Sequence, residues 1–332
     1  MKNLLVSIII AIYSERRLPF LIKLLKQIEK QTYDKLETII IVDNNHELFL
    51  KIKKIQFQCT TVLHNVEEKG LSISRNLGIK ASKGEIIAFI DDDAIPTRFW
   101  VEKLVKSYSK KTLAVGGLIL PLWARYKPYW FPPELLWAIG CTYKGMVSSS
   151  TDTFVRNLIG CNMSFRRHLF NDLGLFRRGL GRIGNFLLGG EEMEYCLRIS
   201  LNYGKNLILL NPFAVVHHFV EPERTKITFL IKRCLFEGIS KSLIEKELIE
   251  EIKNGNSLEW NPLEGENRFL RSLLLRSIPT YLLRPKRISD FFQGIVILLS
   301  ILTVGIGYAY GRFIFSRSFN AIEISRKELN AY

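Results

Sequence analysis

The chain has 332 residues, 47% of them hydrophobic and 24% charged, and this composition excludes a disordered protein. Lysine and arginine outnumber aspartate and glutamate by 47 to 32, so the net charge of +15 favours an anionic partner. The region 268–317 combines eight basic residues and one acidic residue with long apolar runs, a pattern that indicates a membrane surface and not a nucleic acid.

The first hundred residues alternate between predicted strands and predicted helices. The predicted strands lie at Leu4–Ala11, Leu36–Val42, Thr60–Leu63 and Glu85–Ile90. The first is a continuous apolar run, as expected of a parallel strand covered on both faces. One predicted helix begins after Ser14 and another covers Leu71–Ala81, because their apolar residues follow helical spacing. This alternation predicts a mostly parallel sheet flanked by helices, with right-handed crossovers.

The remainder of the chain is predicted to be less regular. Further elements are a strand within Val155–Arg166, a helix over Glu191–Tyr203, a strand over Leu207–His217 and a helical region from Lys226 to about Glu251. A polar stretch over 253–267 then separates this region from an apolar tail.

The tail predicts a membrane-associated segment. The run Phe291–Gly311 is uncharged over 21 residues and can be a transmembrane or re-entrant helix, or a helix packed on the protein. Basic residues flank the run, which favours a cytoplasmic position for the part of the chain that precedes it. The five scattered cysteines form no C-x-x-C pair and are typical of a reducing compartment.

Acidic side chains follow two of the predicted strands. Asp43 comes after the second strand, and Asp91, Asp92 and Asp93 come after the fourth. The carboxyl edge of such a sheet is where ligands bind. Asp91 and Asp93 can therefore share a divalent metal, Mn²⁺ or Mg²⁺, with phosphate oxygens, although a solvated acidic turn would have the same sequence.

Other polar residues are candidates with equally plain structural alternatives. Arg75 can bind phosphate or pair with an acid of the same edge, and Asp43 can bind a nucleobase or stabilise a turn. Glu191 or Glu192 can accept a proton from an acceptor hydroxyl, or simply begin a helix whose dipole favours acids. His217 and His218 end a predicted strand, where an imidazole can complete a metal site or be structural, and His217 is the predicted ligand.

Taken together, six motifs resemble those of the inverting family 2 glycosyltransferases, which have the nucleotide-binding GT-A fold. They are Ala11–Glu15, Val42–Asn45, Ser74–Gly78, Asp91–Asp93, Gly160–Met163 and Glu191–Glu192. The resemblance covers roughly residues 4–220. It implies a nucleotide-sugar site that includes Ala11, Tyr13, Glu15, Asp43, Arg75, Asp91 and Asp92, and metal binding by Asp91 and Asp93.

The same resemblance implies Glu192 as the general base. Position 192 has Glu where Asp is commoner in the family, so Glu191 stays a candidate. The residues from His217 to Lys241 resemble a narrower archaeal and cyanobacterial branch that is linked to surface polysaccharide or lipid-linked glycan assembly. A nucleotide-sugar donor, a glycan or polyprenyl-phosphate-linked acceptor and membrane lipids are the partners that this implies.

The predicted organisation follows from these assignments. A GT-A catalytic domain covers 1–220, with nucleotide-sugar binding in 1–96 and an acceptor side in 97–220. A helical extension covers 221–267, and a membrane-associated tail covers 268–332 with its candidate segment at 291–311. The alternatives are a sugar-phosphate nucleotidyltransferase, whose usual Gly-rich phosphate loop is missing after the first strand, and a non-catalytic membrane-associated nucleotide-sugar-binding protein.

Overall fold

The computed structural model describes residues 3–55, 57–147, 151–182, 187–253 and 263–316. Its strands are β1 (Val6–Ile12), β2 (Leu36–Asp43), β3 (Thr60–Asn65), β4 (Ile86–Ile90), β5 (Ala94–Pro96), β6 (Ala114–Trp123), β7 (Thr153–Phe154), β8 (Asn162–Arg166) and β9 (Ile208–Val220). Its α-helices are α1 (Leu18–Ile28), α2 (His46–Lys53), α3 (Leu71–Ala81), α4 (Trp100–Lys106), α5 (His168–Asp172), α6 (Glu191–Tyr203), α7 (Ile227–Lys253), α8 (Glu264–Ser272), α9 (Ile278–Leu283) and α10 (Ile288–Ser316). Short 3₁₀ helices lie at Glu15–Arg17, Pro133–Ile139 and Pro222–Thr225, and a π-helical turn covers Leu273–Ser277.

The strands form one sheet, in the order β3-β2-β1-β4-β8-β6-β9-β5, with β7 paired to β9. In its first half, β1 lies between β2 and β4, and β2 pairs with β3, all in parallel. Every residue of β4 and almost every residue of β1 is buried, as apolar strands covered on both faces should be. The parallel arrangement brings the carboxyl ends of β1, β2 and β4 to one edge.

The second half of the sheet is mixed, which the alternation of the first hundred residues does not predict. Strand β8 is antiparallel to both β4 and β6, while β6 and β9 are parallel. The sequence gives little sign of β6, because it contains two adjacent glycines, which are poor strand formers. Gly117 is nevertheless required there: a Cβ would lie 1.8 Å from the carbonyl oxygen of Ala214 on β9.

The chain divides into two compact units, each built from three segments. Unit 1 comprises Met1–Ala124, Ile139–Arg178 and Glu191–Glu221, and contains the whole sheet. Unit 2 comprises Arg125–Ala138, Gly179–Gly190 and Pro222–Tyr332, and contains α7 to α10. The predicted boundary after residue 220 therefore falls one residue before the last change of unit, while the two shorter segments of unit 2 lie inside the predicted catalytic domain.

In unit 2, helices α7 and α10 pack along each other with their backbones in close contact. A Cβ on Gly238 of α7 would lie 2.1 Å from the Val304 carbonyl oxygen, and one on Gly307 of α10 would lie 2.1 Å from that of Leu235. Small residues at these two positions permit this close approach.

Helix α10 contains the one stretch among the described residues, Ile288–Ile314, that is long and apolar enough to cross a membrane. A buried core helix of a soluble protein can pass the same test of length and composition. Only 28% of the most apolar window of α10 is buried, however, and the side chains of Leu302 and Ile306 are each 63% exposed. An exposed apolar surface of this kind fits a lipid environment better than water.

Candidate functional site

Three consecutive aspartates connect β4 to β5 at the carboxyl edge of the parallel half-sheet. The Asp91 side chain is about one-third exposed, at 34%, whereas Asp92 and Asp93 are buried. Buried carboxylates are stable only with partners that offset their charge. The contacts of this acidic turn therefore show how the site is built.

Arg17, in the 3₁₀ helix that follows β1, binds two of these aspartates. Its Nη1 donates to Asp92 Oδ1 at 2.9 Å and forms an ion pair with Asp93, and its Nη2 lies 3.1 Å from Glu221 Oε1. Burial by itself lowers the pKa of the Arg17 guanidinium, but Asp92 and Asp93 hold this pKa above its usual value. A permanent cation thus fixes the buried part of the acidic turn.

His218 lies beside the same turn because β5 pairs with β9, with Ala94 opposite His218. Its Nε2 is 3.3 Å from Asp93 Oδ1, and its Nδ1 is 3.8 Å from Cys141 Sγ. His217, the predicted metal ligand, is the preceding residue of the strand, so its side chain points to the opposite face of the sheet. The structure therefore brings His218, and not His217, to the aspartates.

Asp91, Cys161 and His218 form the group that can hold a metal ion among the described residues. Each offers one ligand atom, and these atoms lie within 4.8 Å of one another. Asp92 Oδ2 is buried without a hydrogen-bond partner in the described part of the chain. An unsatisfied buried carboxylate oxygen beside such a group is what a divalent cation would stabilise.

Arg75 of α3 connects the acidic turn to the start of α6. Its Nη1 donates to Glu191 Oε1 at 2.7 Å, and its Nη2 donates to the Gly160 carbonyl oxygen at 3.1 Å and lies 3.4 Å from Asp91 Oδ1. Gly160 leaves room for this buried guanidinium, since a Cβ there would lie 2.8 Å from Nη2. Of the two alternatives for Arg75, the structure shows the pairing with acids of the same edge.

Glu191 and Glu192 begin α6, which an aromatic cluster fixes in place. Tyr195 of α6 stacks on Phe170, with 4.9 Å between the ring centroids, and both rings belong to the buried core. Glu191 is buried against Arg75, whereas Glu192 is half-buried. Burial raises the pKa of the Glu192 carboxyl to about 8, the neighbouring Glu191 raises it further, and Arg75 opposes the shift.

Asp43, at the end of β2, accepts three hydrogen bonds from its own surroundings. Its Oδ1 accepts from Asn65 Nδ2 at 2.6 Å and from Ser74 Oγ at 2.9 Å, and its Oδ2 accepts from the Gly70 N–H at 3.1 Å. Gly70 has φ +155°, a conformation that only glycine adopts readily. These bonds hold the Asp43 carboxylate at the sheet edge in one orientation, next to the helix that carries Arg75.

The remaining predicted nucleotide-sugar residues follow β1 or lie near its end. Ala11 is partly buried in the strand, and Tyr13 is 60% exposed, with its ring centroid 5.8 Å from the Arg17 guanidinium carbon. Glu15 is exposed and forms an ion pair with Lys51 of α2. Tyr13 is thus close to the acidic turn through Arg17, whereas Glu15 makes no described contact with it.

Sequence reasoning did not find Arg17, Cys161 as a ligand or His218 beside the aspartates. Arg17 could have been predicted from the sequence. It follows the first strand closely, so it lies at the same sheet edge as the aspartates that follow the fourth strand. The choice of His218 depends on the pairing of β5 with β9, and the three-residue strand β5 has no recognisable pattern of its own.

Comparison with known proteins gives the family. The model of the family described as Glycosyl transferase family 2 matches residues 7–174. Glucosyl-dolichyl phosphate glucuronosyltransferase from Haloferax volcanii is 31% identical over 313 residues, which cover 92% of this chain and 96% of that protein. Glycosyltransferase AglE from the same organism is 34% identical over 225 residues, which cover 62% of this chain and 66% of that protein.

Solved structures agree on the fold. The mannosyltransferase PcManGT from Pyrobaculum calidifontis, in complex with GDP-Man and Mn²⁺, superimposes with a TM-score of 0.55 at 17% identity, covering 100% of this chain and 82% of that one. GalNAc-T7, with UDP, GalNAc and Mn²⁺, gives a TM-score of 0.51 at 17% identity, covering 85% and 58%. The fold is GT-A-like, as the motifs implied, and the chain belongs to glycosyltransferase family 2.

Proposed function

We propose that this enzyme transfers a sugar, with inversion, from a nucleotide diphosphate sugar to a hydroxyl of a polyprenyl-phosphate-linked glycan at a membrane surface. The observation that carries the proposal is the bridge formed by Arg75, which binds Asp91 of the acidic turn and Glu191 at the start of α6. One guanidinium thereby brings the candidate metal site and the candidate general base to the same edge of the sheet. Donor and acceptor chemistry meet at such an edge.

A divalent metal is part of the proposal, because the residues present fit one. Asp91 and His218 would hold it, and Asp93, which contacts His218, would either join them or orient the imidazole. When bound, the metal would neutralise charge on the diphosphate leaving group. A set that includes imidazole nitrogen and lies beside a thiol favours Mn²⁺ over the harder Mg²⁺.

Glu192 has the properties required of the general base. Its carboxyl pKa of about 8 makes the carboxylate a strong proton acceptor near neutral pH, while Glu191 is committed to its ion pair with Arg75. Glu192 would take the proton from the acceptor hydroxyl as the new glycosidic bond forms at the anomeric carbon. The donor diphosphate leaves from the opposite face, and this single displacement inverts the configuration.

The residues at the ends of β1 and β2 would bind the donor nucleotide. Tyr13 presents an exposed ring for stacking on a base, and the Arg17 guanidinium lies next to the same ring. The Asp43 carboxylate, already oriented by Ser74 and Gly70, would contact the base or ribose. Asp92 would act indirectly, because its ion pair with Arg17 fixes the acidic turn.

The acceptor class and the location are supported by the relatives and by α10. The name of the Haloferax volcanii relative specifies a glucosyl-dolichyl phosphate substrate, and the two chains align over nearly their whole lengths. Helix α10 has an apolar exposed surface, yet it packs along α7, whose Glu237, Lys241 and Glu245 are unsuited to hydrocarbon. We therefore infer that α10 holds the protein on the membrane in a re-entrant or in-plane position, with the catalytic unit in the cytoplasm.

A transfer assay tests the proposed function. Purified full-length protein in detergent is incubated with Mn²⁺, a panel of UDP- and GDP-sugars and a monosaccharide linked to a polyprenyl phosphate. We expect one donor to extend the lipid-linked sugar with inverted anomeric configuration, and the same free sugar without its lipid to be a poor acceptor. Synthesis of nucleotide sugar from a sugar phosphate and a nucleoside triphosphate, with no transfer from any donor, would contradict the proposal and favour a nucleotidyltransferase.

A further inference from the structure

Two hydrogen-bond donors in unit 2 are buried without a partner among the described residues. Arg233, in the second turn of α7, lies over the indole ring of Trp137 in the 3₁₀ helix Pro133–Ile139, with its guanidinium carbon 5.6 Å from the ring centroid. Both Arg233 Nη1 and Trp137 Nε1 are inaccessible to solvent and make no hydrogen bond there. Buried donors are normally satisfied, so two of them on neighbouring side chains indicate a missing acceptor.

Arg233, Trp137, Glu237 and Lys241 form a cluster in unit 2, and its acid, Glu237, does not supply that acceptor. Arg233 Nη2 lies 2.8 Å from Glu237, and Glu237 also binds Lys241 at 3.1 Å. Burial by itself would raise the pKa of the Glu237 carboxyl, but Lys241 and Arg233 lower it to about 2. Glu237 is therefore an anion shared between two cations, and it binds the other nitrogen of the guanidinium.

Another buried guanidinium nitrogen without a partner among the described residues lies just before the same helix. Arg224, in the 3₁₀ helix Pro222–Thr225 that precedes α7, is 7% exposed, and its Nη1 is also buried without a partner among the described residues. A guanidinium cannot give up its proton, so a buried one needs an anion nearby. The segment that leads into α7 therefore carries positive charge that the described acids do not balance.

The chemistry of these donors indicates which acceptor they lack. Gly189 lies beside the guanidinium, since a Cβ on that residue would be 3.5 Å from Arg233 Nη2, an ordinary van der Waals distance. A planar guanidinium and an indole N–H are donors without acceptor capacity, and guanidinium geometry matches the oxygens of phosphate. A phosphate group satisfies both the charge and the donors.

The position of the cluster within unit 2 indicates where this phosphate comes from. Two residues after Arg233, Leu235 packs directly on Gly307 of α10, the helix with the exposed apolar surface. The cluster is thus carried by the helix that borders the candidate membrane surface. A lipid phosphate is the anion present at such a surface.

We propose that Arg233 and Trp137, with Arg224 contributing charge, form a binding site for the phosphate of a polyprenyl phosphate. This proposal rests on the proposed function, because it assigns a site to the phosphate of the lipid-linked acceptor. It names residues on α7 and on the 3₁₀ helix Pro133–Ile139 as determinants of acceptor recognition, separate from the carboxylates that act on the sugar.

The test is a binding measurement on the full-length protein in detergent micelles, with a polyprenyl phosphate and the matching polyprenol as probes. We expect the phosphate to bind and the alcohol to bind at least about tenfold more weakly. Arg233→Gln and Trp137→Phe should each lower the affinity for the phosphate by about tenfold. Lys232→Gln removes a charge from the adjacent, exposed position of the same helix and should have no such effect.

Mn²⁺-dependent binding of UDP and GDP, measured on the same variants, separates the possible sources of the phosphate. Unchanged nucleotide binding in Arg233→Gln and Trp137→Phe supports the lipid assignment. Loss of nucleotide binding with unchanged polyprenyl phosphate binding overturns it, as does equal binding of phosphate and alcohol by the wild type. Trp137→Phe removes one N–H and keeps a large ring. If Arg233→Gln fails to fold, the polyprenyl phosphate affinity of Trp137→Phe tests the proposed site instead. Phosphate-specific lipid binding without sugar transfer would overturn the proposed function and leave this site standing.

Discussion

Two adjacent glutamates at the start of α6 lie in different environments. Glu191 is buried in an ion pair with Arg75, and Glu192 is half-buried with a carboxyl pKa of about 8. A residue that is locked in an ion pair holds the structure, whereas one with a pKa near the working pH can exchange a proton with substrate. The sequence left this pair undecided, and their contacts favour Glu192 as the base.

We expect Glu192→Gln to lower the transfer rate by roughly two to four orders of magnitude while donor binding and thermal stability are retained. Glu191→Gln should instead lower stability, by about 3–5 kcal/mol, because it removes the charge of the carboxylate that lies 2.7 Å from the buried Arg75 guanidinium. Turnover and thermal unfolding measured on both variants check this. A large loss of turnover in a well-folded Glu191→Gln protein, with only a small loss in Glu192→Gln, would reverse the assignment.

The pH dependence has a defined sign. Glu192 accepts a proton only when ionised, so the rate in wild type should rise with pH to about 8, and the remaining rate of Glu192→Gln should lack this step. Because the folded pKa is above the ordinary value of 4.5, Glu192 stabilises the fold at acid pH and loses this contribution as pH rises toward 8. Wild-type activity and this part of the stability should therefore change in opposite directions, which pH-rate and pH-melting profiles can measure.

The predicted site residues show what one sequence can give at this scale. Asp91, Asp93 and the glutamate pair were found because acids that follow apolar strands, or begin helices, are visible as local patterns. Arg17 was missed and His217 was chosen over its neighbour His218. The contacts that distinguish these residues span 75 and 125 positions of sequence, and only the sheet topology creates them. The metal roles of Asp91, Asp93 and His217 remain predictions, and the geometry favours His218 in place of His217.

At the element scale, strongly patterned segments were predicted well and weakly patterned ones were not. The bounds of α3 and α6 agree with the predicted helices, and β2 and β4 differ by one residue from the predicted strands. Strand β6 was not predicted, because glycine and proline have a low strand propensity. Its pairing with β8 and β9 outweighs that low propensity.

The exposed apolar surface of helix α10 predicts that the protein binds membranes. Full-length protein expressed in cells should sediment with membranes and resist a carbonate wash, because the exposed apolar side chains of α10 are stabilised by lipid. Leu302→Lys combined with Ile306→Lys should release it into the soluble fraction, since charges at these exposed positions oppose insertion. Leu50→Lys, at an exposed leucine of α2, is the matched control. Wild-type protein that is soluble without detergent would contradict membrane attachment.

The sheet and both compact units combine segments that are far apart in the sequence. The parallel half of the sheet follows from strand–helix alternation, which is a local pattern. The mixed half forms only when segments that are distant in sequence pair with one another. Unit 2 gathers two short segments, Arg125–Ala138 and Gly179–Gly190, with everything after Glu221. The segment Arg125–Ala138 is rich in proline and aromatic residues. Its place in unit 2 comes from contacts with residues far along the chain, such as Ser277 and Gln293, so linear domain boundaries could not include it.

We propose that sugar transfer requires a divalent metal at the acidic turn, and a metal titration is the decisive experiment. Transfer by the purified full-length enzyme is followed as Mn²⁺ is titrated after treatment with excess chelator, in wild type, Asp91→Asn and Asp93→Asn, with Asp152→Asn as an exposed control. We expect no transfer in chelator, recovery with Mn²⁺ in wild type and control, and no recovery in the two site variants while they remain folded. Full wild-type activity in excess chelator, or unchanged turnover in Asp91→Asn and Asp93→Asn, would contradict it.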